Sequence, residues 1–182
     1  PSKKNNKNNI QSPKGMRDIL ADEYVFYQSI FDKAEDIASY YGFKPIQTPH
    51  LEKAELFTAA IGQSTDIVEK EMYTLKTAGG DKLALRPEGT AGVVRAYIEH
   101  GMKNLPQPVK LYYYEAMFRH EQPQAGRTRE HWQIGAEVIG EGSFSTDAEL
   151  LFVLWKIFEE LGLKNHVSLQ LNSVGDSNCR PE

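Results

Sequence analysis

Phe118–Glu137, F-R-H-E-Q-P-Q-A-G-R-T-R-E-H-W-Q-I-G-A-E, sets three arginines (Arg119, Arg127 and Arg129) in a segment that ends on an acid. Before it, Lys110–Met117 is rich in β-forming residues, Leu111 and three consecutive tyrosines among them. After it, His131–Ile139 alternates apolar and polar residues. Both patterns predict strands, joined by a polar loop over Gln122–Arg129 that is too hydrophilic to be core. With a side-chain period of two, Arg119 and Glu121 share a face if the first strand persists, and His131, Gln133 and Glu137 share a face of the second. An antiparallel pairing lets those polar faces meet. Guanidinium forks match phosphate oxygens, so the loop reads as a phosphate-gripping lid over a nucleotide site. Charged hairpins are more often plain solvated faces, and the spacing alone leaves both readings open.

Outward from this hairpin, Asp22–Tyr40 repeats apolar residues at helical spacing and Gly42 is its stop signal. A short strand over Phe43–Thr48 ends at Pro49, which cannot donate to a ladder. Lys53–Ile61 reads as a short helix, and Met72–Leu75 with Lys82–Leu85 as a hairpin around Ala78-Gly79-Gly80, closed by Arg86-Pro87. The pattern predicts a helix over Glu88–His100, with Val93, Val94, Tyr97 and Ile98 turned inward and Glu88 in the first turn, where its charge favours the helix dipole with or without a ligand. Ser145–Leu161 reads as a helix with Leu150, Leu151, Leu154, Ile157, Phe158 and Leu161 on its inner side, ended by Gly162, and His166–Leu171 as a returning strand. Neighbouring hairpins dominate over crossovers, so the predicted class is α+β, an antiparallel sheet flanked by helices.

The 182 residues, 40% hydrophobic and 25% charged, suit one globular domain over residues 12–182. Pro1–Gln11 is a Lys/Asn-rich run with almost no apolar content, expected to be a disordered tail. No long apolar run marks a membrane span. The net charge of −4 argues against a generally basic nucleic-acid surface, so RNA contact is expected to be local to the arginine loop. A single cysteine, Cys179, leaves no internal disulfide and fits a reducing, cytoplasmic setting. No Cys/His cluster has zinc spacing.

F-R-x-E, a loop, then G-R-x-R-E and Q-x-G-x-E resembles motif 2 of the class II aminoacyl-tRNA synthetases, in the form of the histidyl-tRNA synthetases. Other landmarks follow in the family's order. Pro13-Lys14-Gly15-Met16-Arg17-Asp18 is similar to its opening P-K-G-x-R-D, and Tyr41-Gly42-Phe43 with Ile46-Gln47-Thr48-Pro49 and Leu51-Glu52 resembles motif 1. Leu85-Arg86-Pro87-Glu88-Gly89-Thr90 matches L-R-P-E-G-T.

The resemblance implies a histidine–tRNA ligase that activates histidine with ATP and passes the acyl group to tRNA(His). It makes Arg119 the catalytic α-phosphate ligand, Glu121 the partner of the adenine amino group and Arg127 a contact to the outer phosphates. Arg129 orients the ATP-binding loop, and His131 stacks on adenine where the family commonly has an aromatic residue. Gln122 and Thr128 likewise depart from the family's arginine and aromatic residue. Glu88 and Thr90 grip the α-ammonium group of histidine, Gln133 and Glu137 line its pocket with Glu137 accepting from the imidazole, and Gln124 faces the tRNA acceptor end. Mg2+ accompanies ATP, and motif 1 implies a homodimer. Motif 3 and the anticodon-binding domain have no counterpart in the chain, so it corresponds to the N-terminal part of a catalytic domain, as a fragment weakly active or inactive by itself. The alternatives are a histidine-sensing regulatory paralog of the ATP phosphoribosyltransferase complex and a structural or RNA-binding relative.

Overall fold

The computed structural model describes residues 10–62, 65 and 67–172. The expected tail over Pro1–Gln11 lies almost wholly outside these residues, as do Ser173–Glu182. Helix α1 spans Ala21–Tyr40. It ends in a Schellman turn: Gly42 (φ 82°) takes the left-handed conformation that a side chain would strain, its N–H donates to the Ser39 carbonyl, and the Phe43 N–H donates to the Ala38 carbonyl at 3.0 Å. Phe43 is thereby buried against Ala38.

Strands β5 (Val109–Phe118) and β6 (Glu130–Ile139) pair antiparallel from Val109↔Ile139 to Phe118↔Glu130. The sheet is completed by β1 (Lys44–Pro45), which runs parallel to β5. A second, antiparallel sheet orders β2 (Leu51–Lys53), β4 (Lys82–Leu85) and β3 (Thr74–Lys76). Helix α2 (Ala54–Ile61) follows β2 directly, α3 (Thr90–Glu99) leads from β4 towards β5, and α4 (Phe144–Glu160) follows β6. The class is α+β, with antiparallel strands flanked by helices.

β5 is the spine of the core because both of its faces are covered. Val109, Leu111, Tyr113 and Met117 cluster with Val93 of α3, while Tyr112 joins Ala38, Phe43 and Val153 from α1 and α4. Tyr114 lies stacked between Phe31 and Trp132, with ring centroids 4.6 and 4.8 Å away.

Several elements differ from their sequence expectation. The strand expected over Phe43–Thr48 shrinks to two residues, since Phe43 is used by the helix cap and Thr48 bonds side chains. α3 starts at Thr90, because Glu88 stands before the helix and its carboxylate accepts the N–H groups of Thr90 and Ala91 at 2.6 and 2.9 Å. Val94 and Ile98, 40% and 71% exposed, face outward, because the buried row of α3 is Gly92, Val93 and Ala96. Leu154 is exposed for the same reason, with Val153 taking the inner position on α4. His166–Leu171 forms no strand; among the described residues it enters neither sheet, and a β-forming segment without a ladder partner has nothing to hold it extended.

Candidate active site

The β5–β6 register builds one wall. It sets Gln133 opposite Glu115, Gly135 opposite Tyr113 and Glu137 opposite Leu111. Tyr113, 2% exposed, sits at the centre of this face. A Cβ on Gly135 would lie 2.1 Å from its Cζ, and one on Gly89, from the turn before α3, 2.3 Å from the same atom. The ring therefore fills a slot that only two glycines leave open. Its hydroxyl accepts from Gln133 Nε2 at 3.2 Å and donates to Glu137 Oε1 at 3.4 Å.

The start of α3 supplies the opposite side. Thr90 Oγ1 donates to Glu137 Oε1 at 2.8 Å, so Gln133, Tyr113, Glu137 and Thr90 form one hydrogen-bonded chain. Burial raises the Glu137 carboxyl above its ordinary range; the Thr90 bond counters this, and the Glu88 charge adds to it. Burial, with the charge of Glu137, likewise raises the Tyr113 phenol. Such a half-buried acceptor with spare lone pairs discriminates for a ligand carrying an N–H donor.

The three arginines of the hairpin have different partners. Arg129 is taken up by backbone: Nε donates to Glu121 O at 3.0 Å, Nη1 to Lys14 O at 3.3 Å, and its N–H to Gly15 O at 2.7 Å. It ties the loop to the N-terminal segment, where Gly15 (φ 83°) leaves room for its side-chain methylenes. Arg127 pairs with Glu121 at 2.9 Å but is largely exposed, so that pair contributes only about 0–1 kcal/mol and exchanges readily for a ligand. Arg119 donates Nε to Pro87 O at 2.8 Å and has no ion pair among the described residues. Its two Nη groups are the available charge in the hairpin, suited to an anion.

Gln124 and Arg127 close the loop tip through paired backbone bonds of 3.1 and 2.9 Å around Ala125-Gly126, leaving the Gln124 side chain exposed. His131 is half-buried, and burial, with the nearby Arg119 charge, holds its imidazole below the ordinary range. It lines a cleft of about 590 Å³ with Arg17, Tyr24, Tyr27 and Trp132. A larger cleft of about 1100 Å³ runs between α2 and α3, with Glu88 and Thr90 at its edge. The predicted residues thus connect through Glu88, Thr90 and Glu137 on one side and Pro87 and Arg119 on the other. His131 and Gln124 stand apart from that chain of bonds.

Sequence reading missed Tyr113 and the buried cluster of Arg86, Glu115 and Thr48. Arg86 Nη1 meets Glu115 Oε2 at 2.5 Å and Thr48 O at 2.8 Å, and Glu115 Oε1 accepts the Thr48 N–H at 3.1 Å. The run of tyrosines was visible, but which one faces Gly135 depends on the register. Among the described residues, no group of three or more His, Cys, Asp or Glu side chains converges to hold a metal ion. No described helix is long and apolar enough to cross a membrane.

The histidyl-tRNA synthetase profile matches residues 15–175. The chain belongs to the histidyl-tRNA synthetase family. It is 50% identical over 171 residues to a histidine–tRNA ligase of Dehalococcoides mccartyi, covering 94% of this chain and 41% of the relative. It is 48% identical over 174 residues to one of Staphylococcus epidermidis, covering 95% and 41%. Apo Staphylococcus aureus histidyl-tRNA synthetase superposes with a TM-score of 0.72 at 38% identity, over 85% of this chain and 35% of that one. A Bacillus halodurans protein described as an ATP phosphoribosyltransferase regulatory subunit/histidyl-tRNA synthetase gives 0.74 at 29% identity, over 84% and 38%. The chain spans about two fifths of the length of the curated relatives it matches.

Proposed function

We propose that this chain is the motif 1 and motif 2 part of the catalytic domain of a histidine–tRNA ligase. In the reaction, a carboxylate oxygen of histidine attacks the α-phosphorus of ATP, the bond to the β-phosphate breaks, and pyrophosphate leaves histidyl-adenylate. A terminal ribose hydroxyl of tRNA(His) then attacks the acyl carbon and AMP departs. Neither step needs a protein nucleophile; the site orients reactants and stabilises charge on the phosphate.

The observation that carries this reading is the Arg119 guanidinium, aimed by Pro87 and without a counter-ion among the described residues. On the proposed path it holds the α-phosphate as negative charge moves towards the departing pyrophosphate. Arg127, swinging from Glu121, reaches the outer phosphates and frees Glu121 for the adenine amino group. Arg129 keeps the loop in place through its carbonyl contacts, and a neutral His131 stacks on the base. Glu88 and Thr90 take the ammonium of histidine, while Glu137, with Gln133 and Tyr113, accepts the imidazole N–H. Gln124 at the loop tip meets the acceptor end of tRNA. Mg2+ would arrive already bound to the ATP phosphates and would neutralise part of their charge; the arginines would contact the remaining phosphate oxygens and not the metal, and among the described residues no cluster of His, Cys, Asp or Glu is set to hold it. Val25 and Phe26, exposed on α1, the helix that leads into the motif 1 segment, support a homodimer through that region, and a cytoplasmic location fits the reaction proposed.

Calorimetric titration of the chain with Mg-ATP, alongside histidine-dependent ATP–pyrophosphate exchange, tests the proposal. ATP binding that Arg119→Ala weakens at least tenfold supports it. Histidine binding without any ATP binding overturns it in favour of a regulatory subunit, a reading that the B. halodurans likeness keeps in view.

A further inference from the structure

We infer that the buried Arg86–Glu115 pair is a positioning device for Arg119. Both side chains are almost completely buried, at 2% and 4% exposure. Burying two charges is a poor way to stabilise a fold, since an apolar pair of similar volume usually does as well or better. The geometry supplies another reason for the pair. Among the described residues the Arg119 side chain is aimed by one hydrogen bond, from its Nε to Pro87 O, and both ends of that bond are fastened to Arg86.

On the acceptor side, Arg86 immediately precedes Pro87, and its N–H donates to His50 O at 3.0 Å. On the donor side, the Arg86 carbonyl accepts the N–H of Phe118, the residue before Arg119, at 3.0 Å. Arg86 Nε also holds Ala116 O at 2.9 Å. Glu115 and Thr48 fix the guanidinium that spans these strands. The proline ring fixes φ at Pro87, and the Glu88 carboxylate is anchored on the first N–H groups of α3, so the carbonyl has little freedom left. Arg86 and Glu115 touch no substrate in this scheme; they act through Arg119. Their bearing on catalysis rests on the ligase reading, whereas their hold on Arg119 does not.

Two variants test this in the full chain. Arg86→Lys keeps the charge beside Glu115 but cannot reach Thr48 O and Ala116 O together. Arg86→Gln/Glu115→Gln removes both charges and so leaves neither buried alone. Nitrogen-15 NMR of the Arg119 Nε–H, assigned by its loss in Arg119→Lys, reports the bond to Pro87 directly. We expect solvent exchange of this proton to quicken at least tenfold in each folded variant. Mg-ATP affinity should fall roughly tenfold, the size of one charge-assisted hydrogen bond. In an Arg119→Ala background the same changes should cause no further loss of affinity, which a merely structural role would not produce. A folded variant in which the Arg119 proton exchanges within twofold of the parent overturns the inference, as does an affinity loss that persists without Arg119. If the parent chain binds no ATP, the ligase reading fails while the proton-exchange measurement still decides this one.

Discussion

Replacing Gly135 by alanine should unlock the centre of the site. The added methyl would lie 2.1 Å from Tyr113 Cζ, 2.3 Å from its hydroxyl and 2.6 Å from Cε1. The ring cannot slide away, because Gly89 on its other side already leaves no room for even a Cβ. Overpacking of this kind costs about 1–3 kcal/mol, and the double confinement places Gly135→Ala at the upper end. Displacing the ring also strains its bonds to Gln133 and Glu137, at about 1 kcal/mol for a typical hydrogen bond. Against this, alanine lowers unfolded-chain entropy and recovers about 0.4–1 kcal/mol. The net loss is about 3 kcal/mol, which for a domain of this size lowers Tm by about 6–12 °C. Urea and thermal denaturation measure it, with Gly142→Ala, where a Cβ meets nothing within 4 Å, as a control expected within about 0.5 kcal/mol of the parent. The three atoms nearest to a Cβ at Gly135 all belong to Tyr113, so its penalty should largely vanish in a Tyr113→Ala background. An equal penalty in both backgrounds would refute the wedge, and with it the claim that two glycines shape this site.

Glu137→Gln separates stability from recognition. The parent carboxyl is raised by burial, so the folded state holds its proton more tightly than the unfolded chain does. Parent stability should therefore fall as pH climbs from the ordinary value of 4.5 through the raised one, and level off above it. The glutamine variant lacks that decline, so its Tm relative to the parent should rise as pH climbs above the ordinary carboxyl value of 4.5, while histidine binding is lost; a pH-independent difference would count against the burial assigned to Glu137. Gly42→Ala forces a side chain into φ 82° and should cost about 1–2 kcal/mol in denaturant titration. Unchanged stability there would mean the cap adapts by another route.

Local pattern carried much of this molecule. Helix α1 with its Gly42 stop, the β3–β4 hairpin and the long β5–β6 pair are each legible from spacing and turn residues, because those preferences act between near neighbours in sequence. The order of motifs also gathered Arg119, Glu121, Arg127, Arg129, Glu88 and Glu137 as candidates before any geometry was known. Whether a charge is free is not a local property. Only the tertiary structure assigned Arg129 to backbone carbonyls, paired Arg127 with Glu121 and left Arg119 without a counter-ion among the described residues. It turned Glu88 from a first-turn residue into a cap and exposed Val94 and Ile98, because α3 meets the sheet along a different row.

Tyr113 and Arg86 show the division most clearly. In sequence one is a tyrosine among three and the other a cation before a proline. Each takes its place from partners at least twenty residues away: Tyr113 from Gly89 and Gly135, and Arg86 from Thr48 and Glu115. The sequence determined which side chains were available and which short segments would be helix or strand. Register and burial decided which of them touch, because those energies arise only when distant segments exclude water together.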